Sequence, residues 1–215
     1  MKQLGLWTGI IIIIIIVIVG LIKLSNSANF TSSTGNSSIP PLTSQDQEFG
    51  NPKAKVQLVE YADFQCPACL AEYPELKKFM NDYKDKVLVV YRYFPLTQVH
   101  QNAMVAAQAA YAASKQGKFW QMHDKLFDTQ SDWADSTNAP SIFDTYAKSL
   151  GLNINEFKKD QNDTNGINLI NQEENAGVNA GVNATPTLFL NGKMINSNHP
   201  LSYDELKSVV NPLLN

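Results

Sequence analysis

The chain places its two cysteines at the junction between a strand-like segment and a helix-like segment. Residues 56–62, VQLVEYA, are β-branched and alternate in polarity, which predicts a strand. Residues 67–83 then carry apolar side chains at helical spacing, and Pro67 suits the first helical position because its missing N–H costs nothing there. Cys66 and Cys69 therefore stand at the start of a helix, three positions apart, where their sulfur atoms share one face and are near enough to bond.

The middle of the chain changes in character. Residues 86–94, KVLVVYRYF, form a second predicted strand, and they are apolar enough for a central position in a sheet. Residues from about 98 to 182 then have helical spacing, beginning with an Ala-rich stretch that ends near Gly117. We therefore predict a helical insertion between two strands of one sheet.

A hairpin and a helix end the chain. Two short apolar runs flank Asn191-Gly192, which is a strong signal for a tight β-hairpin. The last predicted helix begins after Ser202, and Glu205 completes a capping box. The order of strand, helix, strand, helical insertion, hairpin and helix predicts an α/β fold, with a mixed sheet and helices on both of its faces.

The first 24 residues differ from the rest. No charged side chain lies between Leu4 and Ile22, and a helix of this length spans ~28 Å, close to the ~30 Å apolar core of a bilayer. We predict that residues 1–24 form a transmembrane anchor. A cleaved signal peptide is the alternative, with residues 25–27 as its small-residue site, but its apolar region normally has only about 7–15 residues. Lys2 and the amino terminus outweigh Lys23, which predicts a cytoplasmic N-terminus and an extracytoplasmic remainder.

A polar stretch follows the predicted anchor. Residues 25–50 are rich in Ser, Thr and Asn, contain Pro40-Pro41 and have few large apolar side chains, so we expect a disordered linker with a reach of ~30 Å. Residues 51–215 would form the folded domain. The net charge of −3 and the lack of any basic run give no indication of nucleic-acid binding.

Three roles are open to the two cysteines. A zinc site needs about four ligands, and the three histidines (His100, His123 and His199) are scattered without metal spacing, so we expect neither a metal ion nor a cofactor. A static disulfide clip over so short a loop would restrict the unfolded chain little. A redox-active pair is the favoured role, because Cys-x-x-Cys stands directly after a strand and at the opening of a helix.

The position of the first cysteine predicts its chemistry. Cys66 falls at the helix N-terminus, where unpaired N–H groups and the helix dipole stabilise negative charge, so its pKa should be lowered. Cys69 lies one turn further in and should be more buried and less reactive. A substrate thiolate would then attack Cys66 and expel Cys69, and the second thiol of the substrate would release Cys66.

Three motifs together resemble a known family. Glu60 precedes Cys66 by six residues on the strand, like the buried acid of thioredoxin-fold proteins, and Thr185-Pro186-Thr187 resembles their cis-proline loop. With FGNPKAKVQLVEYADFQCPAC, GKFWQMHDKLF and GVNATPTLFLNGK, residues 47–214 resemble the DsbA-like thiol–disulfide oxidoreductases, which are thioredoxin folds with a helical insertion.

The resemblance implies roles for particular residues. Cys66 would be the exposed nucleophile, Cys69 the resolving cysteine and Glu60 an aid to proton transfer at Cys69. Pro186 would be cis, which would place the backbone of Thr185 beside the disulfide to pair with extended substrate. Pro67 and Ala68, between the cysteines, are expected to contact substrate as well. Strongly oxidising members of the family often carry a histidine where this chain has Ala68, which leaves the oxidising strength open.

The expected function is therefore thiol–disulfide exchange outside the cytoplasm. We predict a membrane-anchored oxidoreductase that forms disulfides in secreted or cell-surface proteins, and the family implies re-oxidation by a membrane quinone-linked thiol oxidase. A reductase or isomerase of the same fold is one alternative. A peptide-binding or chaperone module without catalysis is the alternative from another class. Single histidines on helices are most often surface or satisfied core groups, so His100 and His123 are not assigned to the site.

Overall fold

A five-stranded mixed sheet lies at the centre of the computed structural model, within residues 39–195 and 199–214, which are the residues that the structure describes. The spatial order of the strands is β1-β3-β2-β4-β5. Strands β2 and β3 are parallel, and every other neighbouring pair is antiparallel. The predicted mixed α/β fold is confirmed. The strands are β1 (Gln47–Gly50), β2 (Val56–Ala62), β3 (Val87–Tyr93), β4 (Thr187–Leu190) and β5 (Lys193–Met194).

Helices cover both faces of this sheet. Helix α1 (Pro67–Tyr83) connects β2 to β3, and α8 (Tyr203–Val210) follows the hairpin and continues into a 3₁₀ turn. Between β3 and β4 the chain forms a helical block. Its helices are α2 (Ala103–Ser114), α3 (Phe119–Asp128), α4 (Gln130–Trp133), α5 (Ala139–Ser149), α6 (Ile154–Gln161) and α7 (Thr164–Asn179).

The alternation of side chains along β2 separates the two sides of the core. Val56 and Leu58 belong to an apolar cluster with residues of α1 and α8, such as Leu76 and Leu206. Val59 belongs to the cluster on the opposite face. Because side chains alternate along a strand, Glu60 lies on the same face as Leu58, beneath α1.

Local signals in the sequence are found where they were predicted. The capping box at the start of α8 is present: the Ser202 hydroxyl accepts the backbone N–H of Glu205, and the Glu205 carboxylate accepts the backbone N–H of Ser202. Strands β4 and β5 form the predicted hairpin, and Asn191 and Gly192 both have positive φ values, 47° and 80°, which suit these residue types.

The predicted C-terminal end of the linker, residue 50, is wrong. Residues 47–50 form β1 and pair antiparallel with β3, from Gln47 opposite Tyr91 to Gly50 opposite Leu88. An edge strand gains its stability from backbone hydrogen bonds along one side, so a polar sequence can form it without a large apolar content. The low apolar content of residues 47–50 therefore predicts a linker where the structure has a strand.

Arg92, on β3, fixes the residues that precede β1. Its guanidinium donates to both carboxylate oxygens of Asp46, at 2.8 and 3.3 Å, and to the carbonyls of Pro40 and Pro41 and the hydroxyl of Tyr61. These bonds use all five N–H donors of the guanidinium. The side chains of Arg92 and Asp46 are only 4% and 3% exposed, so the ion pair is buried.

The predicted membrane anchor lies outside the described residues. Residues 1–38 carry that prediction and the greater part of the predicted linker. In the part of the chain that the structure describes, no helix has both the length and the apolar character needed to cross a bilayer.

We predict that the buried pair stabilises the domain strongly. Replacing Arg92 with Met should lower the free energy of unfolding by ~3–5 kcal/mol, because it leaves the Asp46 carboxylate buried and uncompensated. Urea unfolding of the reduced protein measures this. The control is Lys158→Ala, which breaks a more exposed pair with Asp144 and should cost under ~1 kcal/mol. Equal, small losses in both variants would show that Arg92 does not hold the segment.

Candidate functional site

Cys66 and Cys69 lie at the first turn of α1. Cys66 is the residue that caps the helix, with extended backbone angles, and Cys69 lies within the first turn. Both are free thiols in this structure. Cys66 is 6% exposed and Cys69 is fully buried, so Cys66 is the more accessible of the two, but it is far less exposed than the resemblance implied.

The loop before β4 covers Cys66. The Thr185–Pro186 peptide bond is cis, which confirms the prediction for Pro186. The Sγ atom of Cys66 donates to the carbonyl oxygen of Thr185 across 3.3 Å. The backbone of Thr185 therefore lies beside the first cysteine, as expected. Pro67 is exposed and Ala68 half-buried, so this side of the site is open to solvent.

The predicted shift of the Cys66 thiol is present. Its pKa is lowered to about 5. The largest cause is hydrogen bonding with the side chain of Cys69, and burial opposes it. Smaller contributions that lower the pKa come from the side chain of Thr185 and from the N–H groups of Cys69 and Ala68. The helix amides that the sequence pointed to do contribute, but the second cysteine contributes more.

Cys69 has the opposite environment. Burial is the main reason that its pKa lies well above the ordinary value, and the hydrogen bond and charge of Cys66 and the charge of Glu60 act in the same direction. Glu60 is itself 4% exposed, and burial raises its pKa. The structure thus brings together the two cysteines, Thr185, Pro186 and Glu60, with Pro67 and Ala68 between the cysteines.

A buried carboxylate that the sequence did not indicate fixes the loop before Cys66. The Asp63 carboxylate accepts the N–H groups of Gln65 and Leu96, at 2.8 and 3.0 Å, and lies 2.6 Å from Nδ1 of His100. His100, which sequence reasoning did not assign to the site, therefore contacts the segment that leads into Cys66.

Amide side chains tie the same loop to the helical block. Nε2 of Gln130 donates to the carbonyls of Phe64 and Cys66, at 2.7 and 3.3 Å. The Oε1 atom of Gln65 accepts the backbone N–H of Asn102, at 2.7 Å. No local pattern could have indicated these residues, because Gln130 lies 64 positions from Cys66 in sequence. The helical block thus helps to position Cys66.

His123 is a core group of the helical block, as its placement on a helix suggested. It is 4% exposed and contacts the rings of Phe64, Tyr91 and Phe127, among others. Burial lowers its pKa, so the neutral form is favoured. Across residues 39–195 and 199–214, no group of three or more His, Cys, Asp or Glu side chains is arranged to hold a metal ion.

Comparison with known proteins places this geometry in context. A family described as Thioredoxin matches residues 43–212. Among solved structures, oxidised BdbD from Bacillus subtilis superposes with a TM-score of 0.69 at 25% identity, covering 82% of this chain and 97% of that one. The fold is shared by a thioredoxin-like oxidoreductase from Silicibacter pomeroyi, with a TM-score of 0.68 at 23% identity, covering 80% of this chain and 93% of that one. It is also shared by alpha-DsbA1 from Wolbachia pipientis, with a TM-score of 0.67 at 22% identity, covering 81% of this chain and 92% of that one.

The sequence relatives are of a different kind. A protein named Na(+)/H(+) antiporter NhaA 3, from Salinispora tropica, is 38% identical over 155 residues, which is 72% of this chain and 23% of that protein. A protein named Na(+)/H(+) antiporter NhaA 1, from Salinispora arenicola, is 36% identical over the same shares. The chain therefore spans about a quarter of the length of these curated relatives.

We predict that the second cysteine is the main stabiliser of the first. Cys69→Ala should raise the pKa of Cys66 from about 5 towards its ordinary 9.0, and Cys69→Ser, which keeps a donor, should raise it less. The pH dependence of alkylation by iodoacetamide measures the shift. An unchanged value in Cys69→Ala would mean that the backbone N–H groups suffice.

Proposed function

This chain belongs to the thioredoxin family, and we propose that it is a thiol–disulfide oxidoreductase that forms disulfide bonds in other proteins. The observation that carries the proposal is the pairing of a Cys66 thiol, whose pKa is lowered to about 5, with a buried Cys69 thiol, whose pKa is raised. Two adjacent sulfur atoms with such different acidities give an exchange reaction one stable leaving group and one protonated partner.

The exchange follows from these positions. With Cys66 and Cys69 joined as a disulfide, a substrate thiolate attacks Sγ of Cys66, the S–S bond breaks, and Cys69 leaves with the electron pair and takes up a proton. The second thiolate of the substrate then attacks the substrate sulfur of the mixed disulfide and releases Cys66 as a thiolate. Two electrons pass from the substrate to the cysteine pair, which ends reduced.

The electrostatics of Cys66 support the oxidising direction. A thiolate that forms easily stabilises the reduced pair, and a stabilised reduced form makes the disulfide a stronger oxidant. Ala68 offers no side-chain donor to that thiolate, so the N–H groups and Cys69 supply the stabilisation. A reductase or isomerase with the same site remains the alternative activity.

Substrates would approach along the loop of Thr185 and Pro186. The carbonyl of Thr185 lies 3.3 Å from Sγ of Cys66, which would bring an extended substrate backbone beside the reacting sulfur. Pro67 and Ala68 form the accessible edge of the pair and would contact the substrate. Glu60 would serve proton transfer at Cys69, whose pKa its charge helps to raise.

The proposal places the reaction outside the cytoplasm. Residues 1–24 would anchor the protein in the membrane, and cysteine-containing secreted proteins would be the substrates. A membrane quinone-linked thiol oxidase would then re-oxidise the pair. Because the chain spans about a quarter of the antiporter relatives, their ion transport is not part of the proposal.

We predict an oxidising reduction potential. Equilibration with glutathione buffers should place the Cys66–Cys69 pair above about −200 mV, well above the ~−270 mV of thioredoxin, because the Cys66 thiolate stabilises the reduced form. Thiol trapping in cells should find the pair mostly as a disulfide. A potential near that of thioredoxin, with the pair trapped mostly as thiols, would point to the reductase or isomerase.

Two variants complete the test. Cys66→Ala should abolish oxidative refolding of a reduced substrate, whereas Cys69→Ala should retain attack by Cys66 and accumulate mixed disulfides. If Cys66→Ala assists refolding as well as the unmodified chain does, and the unmodified chain catalyses no exchange, the protein is a peptide-binding or chaperone module.

A further inference from the structure

A further buried acid, Glu72, lies on the helix that carries the redox pair. Glu72 stands three residues after Cys69 on α1, so the two side chains lie on the same face of the helix. Glu72 is completely buried, whereas Glu75, one turn further on, is only half-buried. Acidic side chains are almost never fully buried unless something stabilises them there, so Glu72 needs a physical explanation.

The two carboxylate oxygens of Glu72 have unequal surroundings. Oε2 accepts the backbone N–H of Leu201. Oε1 is buried and has no hydrogen-bond partner among the described residues. An ionised carboxylate with an unpartnered oxygen is costly in an apolar site, but a protonated carboxyl group carries no charge there. Burial raises the pKa of Glu72 to about 7, so both forms are accessible near neutral pH.

Glu72 interacts with Glu60. Glu60 lies on the face of β2 that α1 covers, and the charge of Glu72 adds to burial in raising the pKa of Glu60. Two buried carboxyl groups that repel each other in this way cannot both ionise easily, so the ionisation of one opposes that of the other. The charge of Glu60 in turn helps to raise the pKa values of Cys69 and Tyr91.

Glu72 also contacts the segment that leads into α8. Leu201, whose N–H it accepts, immediately precedes the capping residue of α8. The charges that act on Glu72 from that side are those of His199, which lowers its pKa, and Glu205, which raises it. The side chains of His199 and Glu205 are 57% and 49% exposed. Glu72 thus interacts electrostatically with the buried Glu60 and with exposed charged side chains at the start of α8.

We propose that Glu72 is a proton-relay residue that connects Glu60, and through it Cys69, with solvent at the start of α8. The inference rests on the proposed function and deepens it. When a substrate thiolate expels Cys69, the Cys69 thiolate takes a proton from the Glu60 carboxyl group, and Glu60 regains one from Glu72. Glu72 is then reprotonated by water, so the net change is one proton taken from solvent by Cys69. During re-oxidation the proton moves in the opposite direction.

The test compares Glu72→Gln with a matched control. Glutamine keeps the size of the side chain and an oxygen that can accept the N–H of Leu201, but it cannot titrate. Single-turnover reduction of the Cys66–Cys69 disulfide by reduced glutathione, quenched with an alkylating agent, should slow about tenfold near neutral pH, since proton transfer contributes about 10²–10⁴-fold where it is direct. The inflection near pH 7 in the rate profile should disappear.

Glu75→Gln is the control. Glu75 lies on the same helix and accepts the N–H of Tyr203 at the same end of α8, at 2.9 Å, but it remains partly exposed. The charge that raises the pKa of Glu60 is that of Glu72. This variant should keep both the rate and the profile. A Glu60→Gln background should remove most of the effect of Glu72→Gln, because a relay through Glu60 is already broken there.

The outcomes separate this inference from the proposed function. If the unmodified protein exchanges disulfides but Glu72→Gln has the same rate and profile, or if its effect is undiminished in Glu60→Gln, the relay is wrong and the oxidoreductase stands. If the unmodified protein catalyses no exchange, both are wrong. Side-chain ¹³C NMR can follow the titration of Glu72 in the unmodified protein, so this measurement does not depend on the folding of any variant. Titration of Glu72 at its ordinary 4.5 instead of about 7 would also overturn the relay.

Discussion

One negative charge, held on the sulfur of Cys66 and kept away from Cys69, is the feature on which the rest of the site depends. The two cysteines share a helix turn but differ in surroundings: Cys66 receives hydrogen bonds from Cys69 and from backbone N–H groups, whereas Cys69 is fully buried above Glu60. Each environment strengthens the other, because the Cys69 thiol that stabilises the Cys66 thiolate is itself harder to ionise beside it. A pair with equal acidities would have neither a defined nucleophile nor a defined leaving group.

The remainder of the fold holds these groups in place. Strand β2 and the first turn of α1 position the cysteines, and the loop of Pro186 covers Cys66. The helical block contributes directly, since Gln130 donates to the carbonyl of Cys66 and Asn102 pairs with Gln65. The block therefore does more than cover the sheet, because it also fixes the backbone at Cys66.

Local sequence patterns predict the structural elements that are stabilised by residues close together in the chain. The strand, the helix that opens at Pro67, the Asn191-Gly192 turn and the capping box at Ser202 all depend on residues close together in the chain. The edge strand at 47–50 was missed because its stability comes from pairing with β3, some 40 residues away. The loop contacts of Gln130 and the buried position of Glu72 likewise depend on segments distant in sequence. The lowered pKa of Cys66 was predicted, but its leading cause was a side chain rather than the helix amides.

The most direct test of the central claim compares the free energy of unfolding of the reduced and oxidised proteins as a function of pH. Only the reduced protein has a Cys66 thiol, with a folded pKa of about 5 against an ordinary value of 9.0. A group whose pKa is depressed on folding adds stability that is complete above its unfolded pKa and is lost as pH falls through its folded pKa. As pH rises from about 5 to about 9, the free energy of unfolding of the reduced protein should therefore increase relative to that of the oxidised protein, by up to ~1.4 kcal/mol per pH unit. A difference that stays constant across that range would contradict the account.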